Sequence, residues 1–80
     1  MHFIKEIPHE SMRISLFEWN SKYILKFETA DFEQTFKFSV LNFSSQKEIE
    51  EFAINSSIHS IIIQNFQRML QCAQAAFDEN

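Results

Sequence analysis

Eighty residues, a formal net charge of −4, no glycine and one cysteine bound what this protein can be. A chain this short is read as one domain, residues 1–80. The lack of glycine excludes Gly-rich phosphate loops and the glycine-based dinucleotide fingerprint, Cys72 alone excludes an internal disulfide, and the acidic balance argues against a phosphate-backbone binder.

The N-terminal stretch His2 to Ile7 (HFIKEI) is predicted to be a strand. Pro8 ends it, because proline cannot donate a ladder hydrogen bond and forces the preceding residue into extended geometry. Met12 to Trp19 and Lys22 to Glu28 follow as strands rich in β-branched and aromatic residues. They flank Asn20-Ser21, and asparagine is the best non-glycine residue for the positive φ of a two-residue hairpin. That loop sets Trp19 against Lys22, Phe17 against Ile24, Leu16 against Leu25 and Ile14 against Phe27. It also sets Arg13 against Glu28 as a cross-strand charge pair.

Strands alternate faces, so Met12, Ile14, Leu16, Tyr23, Leu25 and Phe27 form the core side. The other side is solvated except for a patch of Phe17, Trp19 and Ile24 beside Lys22 and Lys26. Phe32 to Val40 alternates as a fourth strand, with Phe32, Gln34, Phe36, Phe38 and Val40 turned inward. A four-residue loop before it, pairing Lys26 with Glu33, is preferred to the two-residue loop that sets Glu28 against Glu33.

Ser45-Gln46-Lys47-Glu48 has the spacing of a capping box and opens a short helix to about Ile54, closed by Asn55 in the left-handed region. Ser56 or Ser57 caps a second helix reaching about Phe77. At 100° per residue its apolar side chains, from Ile58 through Ile63, Phe66, Leu70 and Cys72 to Phe77, fill an arc of roughly 200°, about twice what one sheet face requires. The surplus must meet another part of the chain or a second protomer. The fold class expected is therefore α+β. A three- or four-stranded antiparallel β-meander carries a short helix and a long amphipathic C-terminal helix on one face.

Candidate chemistry is sparse. His2, His9 and His59 show no metal-ligand spacing with one another or with Cys72, and no metal or cofactor is expected. Cys72, late in a helix with only Arg68 as a basic neighbour, reads as a small core or interface residue rather than a reactive thiolate. Glu48, Glu50 and Glu51 lie where a helix N-terminus stabilises negative charge. The Phe17, Trp19 and Ile24 patch is the feature that asks for a function. A protein contact fits best, with cover by the N-terminal strand or the C-terminus, or stacking of single-stranded bases, as alternatives.

The strings HFIKEIPH (His2 to His9), LFEWNSKYILKFE (Leu16 to Glu28) and EQTFKFS (Glu33 to Ser39) resemble those of a family of short uncharacterised bacterial cytoplasmic proteins with no assigned activity. The resemblance spans the first half of the chain and implies a compact bacterial domain. It carries no functional residues over. No signal-peptide layout or membrane-length apolar run is present, and one free thiol fits a reducing cytoplasm.

The function expected is a non-enzymatic protein-interaction module acting as a homodimer, through Phe17, Trp19, Ile24, Ile63, Leu70 and Cys72. One alternative is a small enzyme or ligand-binding protein with a site near His9, Glu10 and His59. It requires a pocket on which at least two of these groups converge. A weaker one is a single-stranded nucleic-acid binder using Phe17 and Trp19.

Overall fold

A computed structural model describes residues 1–78. Four antiparallel strands, β1 (His2–Ile7), β2 (Arg13–Trp19), β3 (Lys22–Glu28) and β4 (Glu33–Ser39), form one sheet in the order β1-β2-β3-β4. A 3₁₀ turn over Val40–Asn42 leads to α1 (Gln46–Ala53) and then α2 (Ser56–Asp78). This is the α+β meander expected, with a short and a long helix on one face.

The β2–β3 hairpin has the expected register from Arg13 opposite Glu28 to Trp19 opposite Lys22. Asn20 and Ser21 make the turn at φ 54° and 61°. Left-handed geometry costs a non-glycine residue roughly 1–2 kcal/mol, less for asparagine. Serine lacks that tolerance, so Ser21→Gly is expected to stabilise the fold by about 1 kcal/mol and raise Tm by about 4–8 °C, as read by thermal circular dichroism.

The β3–β4 connection differs from expectation. Glu28 faces Glu33 and Phe27 faces Gln34, the register of the two-residue loop. The Thr29 N–H donates to the Phe32 carbonyl at 2.9 Å, and the Phe32 N–H donates to the Thr29 hydroxyl at 3.3 Å. That hydroxyl closes the turn without positive φ at Ala30 or Asp31. The like-charge pair is relieved diagonally, since Lys26 Nζ lies 3.5 Å from Glu33 Oε1. The Thr35 hydroxyl, donating to Glu33 at 2.7 Å, and then Lys26 hold the Glu33 carboxyl below its ordinary value. Arg13 also departs from expectation, because its Nε pairs with Glu6 on β1 at 2.8 Å rather than with Glu28.

In β1 the register shifts between Phe3 and Lys5. A bulge turns both residues of its doubled step to one side. Ile4 accordingly packs on the core, and Lys5 reaches Glu50 of α1 at 3.2 Å. Phe3 faces Phe17 on the opposite side of the sheet.

The helix starts use other residues than the spacing predicts. Ser45 makes no side-chain cap. Glu48 instead accepts from the Ser44 N–H and hydroxyl, which hold its carboxyl below the ordinary range. Asn55 does not close α1 in the left-handed region, since only Asn20 and Ser21 have positive φ among the described residues. It caps α2, with Oδ1 accepting from the Ser57 and Ile58 N–H groups at 2.8 and 3.2 Å. One amide acceptor thereby satisfies two orphan donors of the first turn.

The core lies between the sheet and the helices. Ile14, Leu16, Leu25, Phe27, Ile49 and Ala53 are fully enclosed, with Ile62 and Phe66 of α2 above them. Gln34, turned inward from β4, ties α2 down. Its Nε2 donates to the Ile62 carbonyl at 2.9 Å and its Oε1 accepts from Asn65 Nδ2 at 3.1 Å. Among the described residues, no buried side-chain polar atom lacks a partner.

Candidate interaction surface

The helix α2 is unbroken for 23 residues, about 34 Å at 1.5 Å per residue. A strand of seven residues spans only about 23 Å, so the helix outruns its sheet. The molecule is 47 Å long with a radius of gyration of 14.4 Å, against about 12 Å for a compact chain of this length. Ile62 and Phe66 are buried, and Ile58, Ile63 and Met69 are partly covered beside them. Beyond Met69 little of the helix is enclosed.

A second apolar stripe runs next to the buried one. Ile63, Leu70 and Phe77 recur every seven residues, so each sits only about 20° from the last around the helix. Ile63 is half-buried, Leu70 is 47% exposed and Phe77 is 79% exposed. Ile61, on the other flank, is 52% exposed. From Ser56 to Phe77, Arg68 is the only Lys, Arg, Asp or Glu. An exposed helix surface ordinarily carries a charged residue at a quarter or more of its positions, whereas the centre of an interface is depleted of them.

Where α2 passes the lower end of the sheet, the stripe borders a groove of about 290 Å³. Ile63, Phe66, Gln67 and Leu70 form one wall, and Met12 and Phe32 contribute to the other. Cys72 is solvent-exposed. It is not a core residue, because it lies about 200° around the helix from Leu70 and the sheet has ended by that turn.

The outer face of the sheet holds the aromatic patch in altered form. Ile24 is only 3% exposed, which removes it as a contact residue. It lies between Phe17 and Lys37 in the ladder, where a lysine stem covers apolar surface while its ammonium stays in water. Phe17 is half-buried and Trp19 is 54% exposed. Phe3 joins them, its ring edge-on to Phe17 at 5.6 Å and 52% exposed. The N-terminal strand therefore covers part of the patch and adds an aromatic of its own. Lys26 sits 5.9 Å over the Phe17 ring, so its charge is shared between that ring and Glu33.

The histidine candidates are partly assembled. His9 and Glu10 line a cleft of about 490 Å³ with Glu6 and Arg13. His59 lies beyond that lining, but its ring meets His9 edge-on at 5.1 Å. Each imidazole spends one nitrogen on the main chain. His9 Nδ1 accepts from the Ser11 N–H at 3.0 Å, and His59 Nε2 lies 2.7 Å from the Ala53 carbonyl, to which it must donate. Among the described residues no group of three or more His, Cys, Asp or Glu could hold a metal ion. No helix there is long and apolar enough to cross a membrane.

Sequence reasoning missed Phe3 as a surface residue, and missed that Phe32 and the buried core residue Met12 border the groove. Phe3 was hidden by the bulge, which strict alternation cannot foresee. Met12 and Phe32 border the groove only because two loops converge beneath α2. Compared with protein-family models, with curated proteins and with solved structures, the chain matches none of them.

Proposed function

We propose that this chain is a non-enzymatic interaction module that works as a homodimer, joined through the exposed flank of α2. The observation that carries this is a helix that projects past its own sheet, apolar along Ile63, Leu70 and Phe77 and nearly free of charge. Water-exposed apolar side chains of this size are stabilised by contact with another surface. A second copy is always present at equal concentration, and two identical stripes are compatible without like charges facing each other. The outer-face cluster of Phe3, Phe17 and Trp19 then stays open for a different protein partner. A bacterial, cytoplasmic setting belongs to the same proposal, in keeping with the single exposed thiol.

Sedimentation equilibrium at micromolar concentrations tests the reading. A mass near twice the 9.6 kDa of the chain is expected, and a monomer throughout would overturn it. A second reading, a small ligand held at the His9–Glu10 cleft, is favoured by the contact between His9 and His59. It predicts a compound that shifts both imidazole resonances together. Nucleic-acid binding has less support, since Lys26 is already engaged by Glu33 and Phe17.

A further inference from the structure

We propose that the two copies pair with their α2 helices antiparallel about a two-fold axis at Leu70, and that Phe77 of each fills the other's groove beside Ile63. This rests on the homodimer reading and gives it an arrangement. With the axis at Leu70, positions equally far on either side of it come together. Phe77 lies seven residues after Leu70 and Ile63 seven residues before it. The most exposed ring of the helix is thus brought level with the groove that Ile63, Phe66, Met12 and Phe32 border.

Size and area agree with this occupant. The groove measures about 290 Å³, and a dry cavity of roughly 150 Å³ already takes a benzene ring. The stripe from Ile63 to Phe77 is about 21 Å long. The facing third of a helix with a diameter of about 10–12 Å then presents on the order of 300 Å². With the groove walls, each copy buries on the order of 500 Å². The total for the pair, on the order of 1,000 Å², is the lower bound for a specific interface. A parallel pair does less well, because it stacks Phe77 on Phe77 beyond both sheets and leaves both grooves empty.

Single cysteines in a Cys72→Ser chain test the arrangement under mild oxidation. Leu70→Cys is expected to form a disulfide-linked dimer with itself. A mixture of Phe77→Cys and Ile63→Cys chains is expected to give the mixed dimer, with little Phe77→Cys homodimer. Efficient self-linking of Phe77→Cys with no mixed product would overturn the antiparallel pairing while leaving the homodimer intact. If the Cys72→Ser chain sediments as a monomer and no pair links, both the arrangement and the homodimer fall.

Discussion

Phe27→Ala is expected to destabilise the fold by about 3–5 kcal/mol, the largest effect of any single truncation in this chain. Phe27 is fully enclosed and is the largest such side chain in the core. Its ring lies 6.1 Å from that of Phe36 on β4 and 6.4 Å from that of His59 on α2. Removing it opens a cavity where sheet and long helix meet, and the rigid β-ladder around it cannot collapse to fill the space. A domain of this length has only about 4–12 kcal/mol of stability in total. The variant should therefore show a strongly lowered urea midpoint by far-ultraviolet circular dichroism, at an unchanged slope. A loss below about 1 kcal/mol would place the weight of the core elsewhere.

Leu70→Glu should act on association and leave the monomer fold almost untouched. Leu70 is half-exposed on the surface of α2, and glutamate is nearly as good a helix former as leucine. In the dimer, however, two carboxylates would meet at the axis where apolar contact is needed, with burial penalising both. The dissociation constant is expected to rise by about a hundredfold or more, equivalent to about 2.7 kcal/mol. Concentration-dependent melting is an independent readout. Association stabilises the native state by mass action, so Tm of the unmodified chain should climb with protein concentration while that of Leu70→Glu stays flat. Equal slopes for the two chains would remove Leu70 from the interface.

If the α2 flank joins two copies, the outer sheet face becomes the surface left for other partners. Phe3, Phe17 and Trp19 lie on the side of the sheet opposite the helices, so dimerisation does not consume them. A homodimer then displays the cluster twice, which raises the apparent affinity for any partner that can reach both copies.

Much of the architecture was legible residue by residue. The β2–β3 hairpin could be placed to the exact pair, because Asn20-Ser21 admits one loop length and side-chain alternation permits one register. The long helix was equally plain from its period. The β3–β4 register was not, because both loop lengths keep the same side chains inward. The shorter loop is the one the Thr29 hydroxyl closes, accepting from the Phe32 N–H three residues on, a local side-chain bond that strand alternation does not report. Helix α1 begins after Ser45 as expected, although the Ser45 side chain does not bond there, while α2 begins one or two residues earlier than expected with Asn55 as its cap. Ser44, Ser45, Asn55, Ser56 and Ser57 all carry competent capping groups. Which of them acts depends on where the packed core anchors Ile49 and Ile62.

What this sequence determines by itself is local and periodic: four strands, two helices, the faces they bury, and a helix with more apolar width than its sheet can use. Steric preference and alternation act over a few residues, and both can be read along the chain. Tertiary structure alone decided that Ile24 is covered while Phe3 is displayed, that His9 meets His59, and that Met12 and Phe32 border a groove beside Ile63 and Leu70. Each of these depends on segments far apart in the chain arriving together, and their relative placement follows from packing the whole core rather than from any local pattern.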